Sequence, residues 1–444
     1  MNSIWFDRTK RYQLGVGHVQ SGKTNVMLEY CKWSIHTHNK SVLFILQNSK
    51  PDLEQLIERI KLFNKTLPEE FNLDYAEVTK INIFKGTRVY ISLGNFSQLK
   101  KFKNLNPHGF HICIDEADLC IKSNNNYAKI EKQLSVLKES ANHILGMTAT
   151  CLAVLYHEAQ LATVKMIEPP PNYYGWERIQ KLPFKGVGDT YFRSCYEDFL
   201  TSKKGLLLHV DKTKKQEQRE MSLLLSREYP QILFCVYNGD GIFIRPHAKR
   251  KKVLRELKIY DNKPDKPWFI TCHSIHDVIQ AIKDSKIKHA CIIAKNLANR
   301  GISFVSTDFT YHLTHQIFNP TQTIHDETLV QTLRILGVYK DSCTLKLYTD
   351  QTVIDRVNKV YNVIKAYTDR LSGKTKTSVA KEIDQIYSTD ANPNKFSRPK
   401  CRIGLMWKRN ANQGIAFREK ILLEPEPESE EDPEPEQLPT SNND

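Results

Sequence analysis

The sequence lacks the features that mark disulfide-rich, zinc-binding and membrane-spanning proteins. Its ten cysteines are scattered from Cys31 to Cys401 and include no C-x-x-C pair, a pattern typical of buried thiols in a reducing compartment. No apolar run approaches the roughly 20 residues that cross a membrane, and the N-terminus, MNSIWFDRTKRY, does not resemble a signal peptide. We therefore expect an intracellular protein, cytoplasmic or nuclear, that does not enter a membrane.

Charge is distributed unevenly along the chain. The 64 Lys and Arg outnumber the 50 Asp and Glu, for a formal net charge of +14. Nine of the acidic residues lie in the Pro-rich tail at 424–444, which has no Lys or Arg, so the first 423 residues carry a formal charge of +23. A protein segment with this much positive charge is expected to bind a polyanion. The tail is predicted to be disordered, as a solubilising segment or a competitor for the basic surface.

The stretch GHVQSGKT fits the phosphate-binding pattern G-x-x-x-x-G-K-[ST]. A predicted strand at 11–17 precedes it and a predicted helix at 24–38 follows it, as this kind of loop requires. We expect Lys23 to reach the β- and γ-phosphates and Thr24 to offer its hydroxyl to Mg²⁺. The residues predicted to contact the nucleotide are Gly17, His18, Val19, Gln20, Ser21, Gly22, Lys23 and Thr24. A second S-G-K-T, within 371–377, lacks the first glycine and a preceding strand.

Apolar runs alternate with helical patterns along two stretches, which predicts two α/β units with parallel sheets. A Pro-rich boundary at 164–175 precedes the second unit, and the two are joined near 165–190. The strands predicted in the first stretch, after 11–17, are 41–47, 87–94, 110–118 and 143–150. Those predicted in the second stretch are 205–210, 231–239, 266–272, 289–296 and 343–349.

Two acids follow the predicted strand in ICIDEAD. Asp115 and Glu116 would lie at the carboxyl edge of the sheet, where open α/β sheets bind their ligands. Asp115 is suited to hold Mg²⁺ through water, and Glu116 to act as the base that orients and deprotonates an attacking water. The alternative is that both acids cap the next helix.

These motifs together resemble those of superfamily 2 helicases. D-E-A-D at 115–118 is a motif sequence used by this family. G-M-T-A-T at 146–150 is similar to the family's motif that couples the nucleotide site to the nucleic-acid site. KNLANRGISF at 295–304 is similar to A-R-G-[ILV]-[DN], and DETLVQTLRILGVYKD at 326–341 lies where Q-x-x-G-R-x-x-R belongs. The resemblance implies coupling roles for Asp118, Thr148 and Thr150, and nucleotide contacts for Arg300 and Gly301.

The motif sequences most closely resemble those of Z-one, a helicase-like ATPase domain of bacterial defence-type proteins. The matching segments extend over most of the chain, from residue 17 to about residue 349. They are 19–24, 148–150, 171–175, 207–210, 299–301 and 326–337.

The resemblance implies two tandem RecA-like domains that bind ATP and Mg²⁺ between them. Lys23 and Glu116 would act with Gln331 and Arg334 from the second domain, because the stretch 17–150 offers no evident arginine finger. The predicted organisation is a RecA-like ATP-binding domain (1–165), a linker (166–190), a RecA-like helicase C-terminal domain (191–370), a basic extension (371–423) and the acidic tail (424–444).

The implied function is that of an ATP-dependent helicase or translocase on DNA or RNA. The alternative is a nucleic-acid-stimulated ATPase switch that clamps or remodels a complex without unwinding. Protein partners in a replication, repair, transcription or defence complex are also expected. The nucleic-acid contacts would be mainly to phosphates, and each basic cluster is either such a contact or a solvated helix face. The clusters are 97–103, 211–219, 247–257 and 392–409.

Three departures from the family pattern limit the analogy. Ser303 stands where the A-R-G-[ILV]-D aspartate is expected, and Tyr339 stands where the last motif has its second arginine. Gln13 lies only four residues before Gly17, so no adenine-reading glutamine motif is recognisable. The preference for adenine and the rate of turnover therefore rest on the resemblance alone.

Overall fold

The computed structural model describes residues 6, 9–48, 50–105, 109–117, 125–149, 163–184, 191–211, 214–259, 268–270, 274–294, 302–320, 326–339, 344–371 and 378. The predicted acidic tail and, apart from positions 371 and 378, the predicted basic extension lie outside these residues. None of the helices described has both the length and the hydropathy that crossing a membrane requires.

The first half of the chain forms a seven-stranded parallel sheet. Its strands are β1 (Tyr12–Val16), β2 (Val42–Leu46), β3 (Tyr75–Glu77), β4 (Val89–Leu93), β5 (His111–Ile114), β6 (His143–Thr148) and β7 (Thr163–Met166). Their spatial order is β3-β4-β2-β5-β6-β1-β7. The accompanying helices are α1 (Lys23–His38), α2 (Lys50–Asn64), α3 (Phe96–Asn104) and α4 (Asn125–Ser140). Every residue of β1, β2, β4 and β5 is buried, as expected for parallel strands covered on both faces.

The second half forms an eight-stranded, mainly parallel sheet. Its strands are β9 (Gln180–Pro183), β10 (Gly205–Asp211), β11 (Leu233–Asn238), β12 (Gly241–Ile244), β13 (Trp268–Ile270), β14 (His289–Ala294), β15 (His315–Asn319) and β17 (Lys346–Thr349). The order is β13-β12-β11-β14-β10-β15-β17-β9, and only the pairs β11–β12 and β12–β13 are antiparallel. A separate two-stranded pair joins β8 (Tyr173–Tyr174) to β16 (Gly337–Val338).

The residues described after β9 include six further α-helices. They are α5 (Tyr191–Thr201), α6 (Lys215–Glu228), α7 (Arg250–Glu256), α8 (Ile275–Asp284), α9 (Asp326–Gln331) and α10 (Gln351–Leu371). The two sheets confirm the predicted α/β class with two RecA-like units. The proposed domain limits stay predictions; residues 163–184 contribute β7 to the first sheet and β9 to the second.

The strand order of the first sheet determines where its loops meet. Because the strands are parallel, the segments that follow β1, β2, β5 and β6 all leave the same edge. Only β6 separates β1, which precedes GHVQSGKT, from β5, which precedes Asp115 and Glu116. The fold therefore brings together the two motifs that the sequence singles out.

The central strand β15 is absent from the sequence predictions because three of its five residues, in HQIFN, are polar. Gln316 is nevertheless fully buried. Its Nε2 donates to the Thr332 carbonyl at 2.9 Å, and its Oε1 accepts from the Ile335 N–H at 3.0 Å. This side chain thus attaches the segment that carries Arg334 to the sheet.

We predict that Gln316→Leu lowers the free energy of unfolding by about 2–4 kcal/mol, because two buried backbone groups lose their partner. Urea denaturation followed by circular dichroism measures the change. The control is Gln351→Leu, since Gln351 is exposed and bonds only a neighbour on its own helix, Asp355; its effect should stay within about 0.5 kcal/mol. Equal effects of the two substitutions would contradict the assignment.

Candidate nucleotide site

The loop formed by residues 17–24, called the 17–24 loop below, has a backbone that its two glycines permit. Gly22 has φ +90°, a left-handed conformation that side chains with a Cβ rarely adopt. A Cβ on Gly17 would lie 2.9 Å from Cγ of Lys23. α1 starts directly after Gly22, with no side-chain cap and no acid in its first turn. Such a helix N-terminus favours an anion.

Polar side chains in the 17–24 loop are buried. Lys23 is only 8% exposed, and its Nζ donates to the His18 carbonyl at 3.0 Å. Within the described part of the chain, Oγ of Ser21 and Nε2 of Gln20 are buried without a hydrogen-bond partner. Buried polar atoms in this condition are costly, and a bound ligand with acceptor oxygens would satisfy them.

Aromatic residues from later in the chain hold the 17–24 loop. The Tyr173 hydroxyl donates to the Val19 carbonyl at 2.8 Å. The His18 ring stacks on Tyr173 and on Tyr361 of α10, with centroid distances of 5.7 Å and 5.4 Å. Burial, together with the charge of Lys23, lowers the pKa of His18, which favours a neutral ring in this stack.

Asp115 and Glu116 follow β5, as predicted. The Asp115 N–H donates to the Ile45 carbonyl at 2.9 Å, and its Oδ1 accepts from the Glu116 N–H at 3.0 Å. Burial raises the pKa of Asp115, and the charges of Lys23 and Arg59 act against that rise. Glu116 has φ +50°; a non-glycine residue in this region stores about 1–3 kcal/mol of strain and typically occurs at functional sites.

The predicted residues of the second half reach the same place. Gln331 is the last residue of α9, and its Nε2 donates to Oε2 of Glu116 at 3.3 Å, across 215 positions of sequence. Arg334 follows after one turn and is 5% exposed. Gln316 holds the segment between them, as described above.

Side chains from both halves of the chain line one cavity of about 770 Å³, called the cleft cavity below. Its lining includes Lys23, Thr24, Asp115 and Glu116 from the first half. From the second half it includes Ser303, Gln331, Arg334 and Tyr339. The volume suits a nucleotide-sized ligand.

The oxygen atoms of Thr24 and Asp115 fit a magnesium ion, because Mg²⁺ usually takes one or two protein oxygens and completes its shell with water and phosphate. Within the described residues, no group of three or more His, Cys, Asp or Glu could hold a metal ion. A cage made by the protein alone is therefore absent from that part of the chain. The site fits an ion that arrives with phosphates.

Arg59 of α2 also lines the cleft cavity, so the first half places an arginine at the site that no motif predicted. Its Nη1 donates to Oγ1 of Thr24 at 2.5 Å, and its Nη2 donates to Oγ of Ser303 at 3.4 Å. Four residues earlier, Nε2 of Gln55 lies 3.1 Å from Nε2 of His276. Sequence reasoning missed Arg59 because it belongs to no motif.

Two of the three departures from the family pattern, Ser303 and Tyr339, have structural counterparts. Ser303, in place of an aspartate, accepts a hydrogen bond from Arg59. Tyr339, in place of the second arginine, donates its hydroxyl to the Ile335 carbonyl at 2.6 Å, and its ring stacks on His312 at a centroid distance of 3.8 Å. The residues described at these two positions thus add polar and aromatic contacts and no charge.

The predicted coupling residues are only partly described. Thr148, at the end of β6, is fully buried, and its carbonyl accepts from the Gly17 N–H at 3.0 Å. Four predicted site residues lie outside the described residues, namely Asp118, Thr150, Arg300 and Gly301.

The basic clusters differ in exposure. In the 97–103 cluster, Lys100 and Lys101 line a small surface cavity along α3. In 211–219, Lys215 and Arg219 both pair with Asp240. In 247–257, Arg250 is buried. The 392–409 cluster lies outside the described residues.

Comparison with solved structures shows the fold. S. cerevisiae Dbp5 bound to RNA and ADP BeF3 has 12% sequence identity and a TM-score of 0.51, over 82% of this chain and 85% of that chain. Mss116p bound to ssRNA and AMP-PNP has 10% identity and a TM-score of 0.52, over 94% and 87%. The DUF1998 helicase MrfA bound to DNA and AMPPNP has 11% identity and a TM-score of 0.50, over 80% of this chain and 49% of that chain.

No protein-family model and no curated protein matches the sequence. At identities of 10–12%, the likeness to these structures concerns the fold alone. This chain shares its fold of two RecA-like α/β units with these solved structures.

We predict that Gly17→Ala lowers affinity for a fluorescent ADP at least about tenfold, because the new methyl group displaces the Lys23 side chain by which a phosphate would be held. Gly239→Ala is the matched control, since its Cβ would meet the end of the Lys215 side chain, at ordinary distances of 3.5 Å (Nζ) and 3.7 Å (Cε). Fluorescence titration measures both. An affinity unchanged by Gly17→Ala would show that Lys23 does not hold the phosphate.

Proposed function

We propose that this chain is an ATPase of the superfamily 2 helicase type, which binds Mg²⁺ and ATP in the cleft cavity and hydrolyses ATP while nucleic acid is bound. The observation that supports this most directly is the contact between Gln331 and Glu116. It brings the proposed base into the same cavity as Lys23 and Arg334. Lys23, proposed to bind phosphate, Glu116, the proposed general base, and Arg334 therefore come together from both halves of the chain.

Each site residue in the first half of the chain has a defined role in the proposed reaction. Lys23 and the N-terminus of α1 neutralise the phosphates. Thr24 and Asp115 would hold a magnesium ion, which would supply further positive charge to the phosphates. Glu116 orients and deprotonates the attacking water. Its strained backbone holds the carboxylate at the strand end, where Gln331 contacts it.

Arg334 completes the site from the second half. Charge develops on the terminal phosphate during transfer, and an arginine delivered from another domain stabilises that charge, by roughly 10³–10⁵ in rate where this has been measured. Tyr339 carries no charge, so Arg334 bears this role in the 326–339 segment. Turnover would then depend on how nucleic acid positions the two halves.

Residues 1–423 carry a formal charge of +23. Nucleic acid is the polyanion that suits this charge. The solved structures described above contain RNA or DNA, and their fold is shared here. The five cysteines that the structure describes are buried and unpaired, which suits a reducing compartment. The motif sequences favour the Z-one subgroup. We place movement or unwinding on DNA or RNA first, and clamping without unwinding second.

We predict that Lys23→Ala abolishes ATP binding, because it removes the phosphate counter-charge, whereas Glu116→Gln retains binding and loses turnover, because an amide cannot accept the proton. Titration with a fluorescent nucleotide and a phosphate-release assay separate the two effects. Glu58→Gln, an exposed change on α2, is the control and should behave as wild type. Normal kcat in Glu116→Gln would remove Glu116 from the role of base.

We predict that Arg334→Ala keeps ATP affinity nearly unchanged and lowers nucleic-acid-stimulated kcat by about 10³-fold or more. Arg334→Lys should restore little, because an ammonium lacks the planar fork of donors. The measurement is kcat with saturating single-stranded DNA and, separately, RNA. Arg193→Ala, an exposed change on α5, serves as the control. Near-normal stimulated turnover in Arg334→Ala would contradict the two-half mechanism.

A further inference from the structure

Helix α2 forms one wall of the cleft cavity. The lining residues recur at helical spacing along it, which places them on a single face. They are Asp52, Gln55, Leu56, Arg59, Leu62 and Phe63. Arg59 is the only cation among these six. It therefore faces the ligand space and not the solvent side of the helix.

The guanidinium of Arg59 lies between two hydroxyl groups of the proposed nucleotide site. It donates to Thr24, the neighbour of Lys23, and to Ser303 in the second half of the chain. These contacts use two of the five N–H donors that a guanidinium carries. The planar group is thus fixed at the cavity wall by its edges, and it retains donors for a further acceptor.

Electrostatics keep this cation in place. Asp115 and Asp52 both attract Arg59 and oppose the lowering of its pKa by burial. An arginine stays protonated under these conditions. Asp52, Asp115 and Glu116 all line the cavity, so a triphosphate meets several carboxylates there. A cation among these acids lowers the repulsion that the terminal phosphate would experience.

We propose that Arg59 is a further phosphate-binding residue of this site, and that it recognises the terminal phosphate of ATP from the same half of the chain as Lys23. This rests on the proposed function. The fork of a guanidinium matches phosphate oxygens, and the contact with Ser303 links that recognition to the second half. ADP, which lacks the terminal phosphate, does not gain this contact.

A structural brace is the competing interpretation, in which Arg59 only ties Thr24 to Ser303. The two interpretations differ in one measurable quantity, the ratio of the Kd for ADP to the Kd for AMP-PNP. A brace changes both dissociation constants by the same factor. A contact with the terminal phosphate changes the second and leaves the first nearly unaltered.

The test is calorimetric titration of the full chain with ADP and with AMP-PNP, each with Mg²⁺. Arg59→Met should lower the ratio about tenfold, the loss expected for a charge-assisted contact. Arg59→Lys, which keeps the charge without the fork, should retain part of the preference and replaces Arg59→Met if that variant does not fold. Lys61→Met is the matched control, because Lys61 is exposed on the same helix and pairs with Glu58.

An unchanged ratio in folded Arg59→Met or Arg59→Lys would overturn the inference and leave Arg59 as a brace. If the wild type binds AMP-PNP while the variants keep its ratio, the proposed ATPase stands and only this inference fails. If the wild type binds neither nucleotide, the proposed function fails as well.

Discussion

The contact between Gln331 and Glu116 is the interaction on which the site depends. Glu116 alone is an acid on a strained turn, and Gln331 alone is a buried amide at the end of a short helix. Their hydrogen bond of 3.3 Å sets the carboxylate against the segment that carries Arg334. A single hydrogen bond to a charged group stabilises by only about 1.5–3 kcal/mol. The geometry of this contact therefore has to be supported from elsewhere in both halves.

That support comes from the two sheets. Parallel strands deliver the 17–24 loop and the two acids to a common edge, one strand apart. In the second half, the buried amide of Gln316 bonds both a carbonyl and an N–H of the segment between Gln331 and the end of the motif. Further contacts between the halves come from the Gln55–His276 and Arg59–Ser303 pairs. The cavity is thus enclosed by groups whose positions the folded cores determine.

The apolar strands could be predicted from sequence because β2, β10 and β14 are buried along their whole length and read as continuous hydrophobic runs. β15 could not, because its Gln316 is buried through hydrogen bonds to residues that only the folded chain brings near. The 17–24 loop and the acids were predictable because their chemistry requires particular residues at fixed spacing. Arg59 was not, because an arginine on an amphipathic helix gives no indication of which neighbour it meets.

The aromatic contacts on the 17–24 loop have an evolutionary consequence. His18 and Val19 contact Tyr173 and Tyr361, which lie more than 150 residues downstream. A bulkier or smaller side chain at position 18 would leave these rings clashing or poorly packed. Substitutions at positions 18, 173 and 361 are therefore coupled, and co-variation among them is expected. The two halves cannot be exchanged independently between homologues. A recombinant joined near residue 165 would combine the 17–24 loop of one homologue with the residues at positions 173 and 361 of the other.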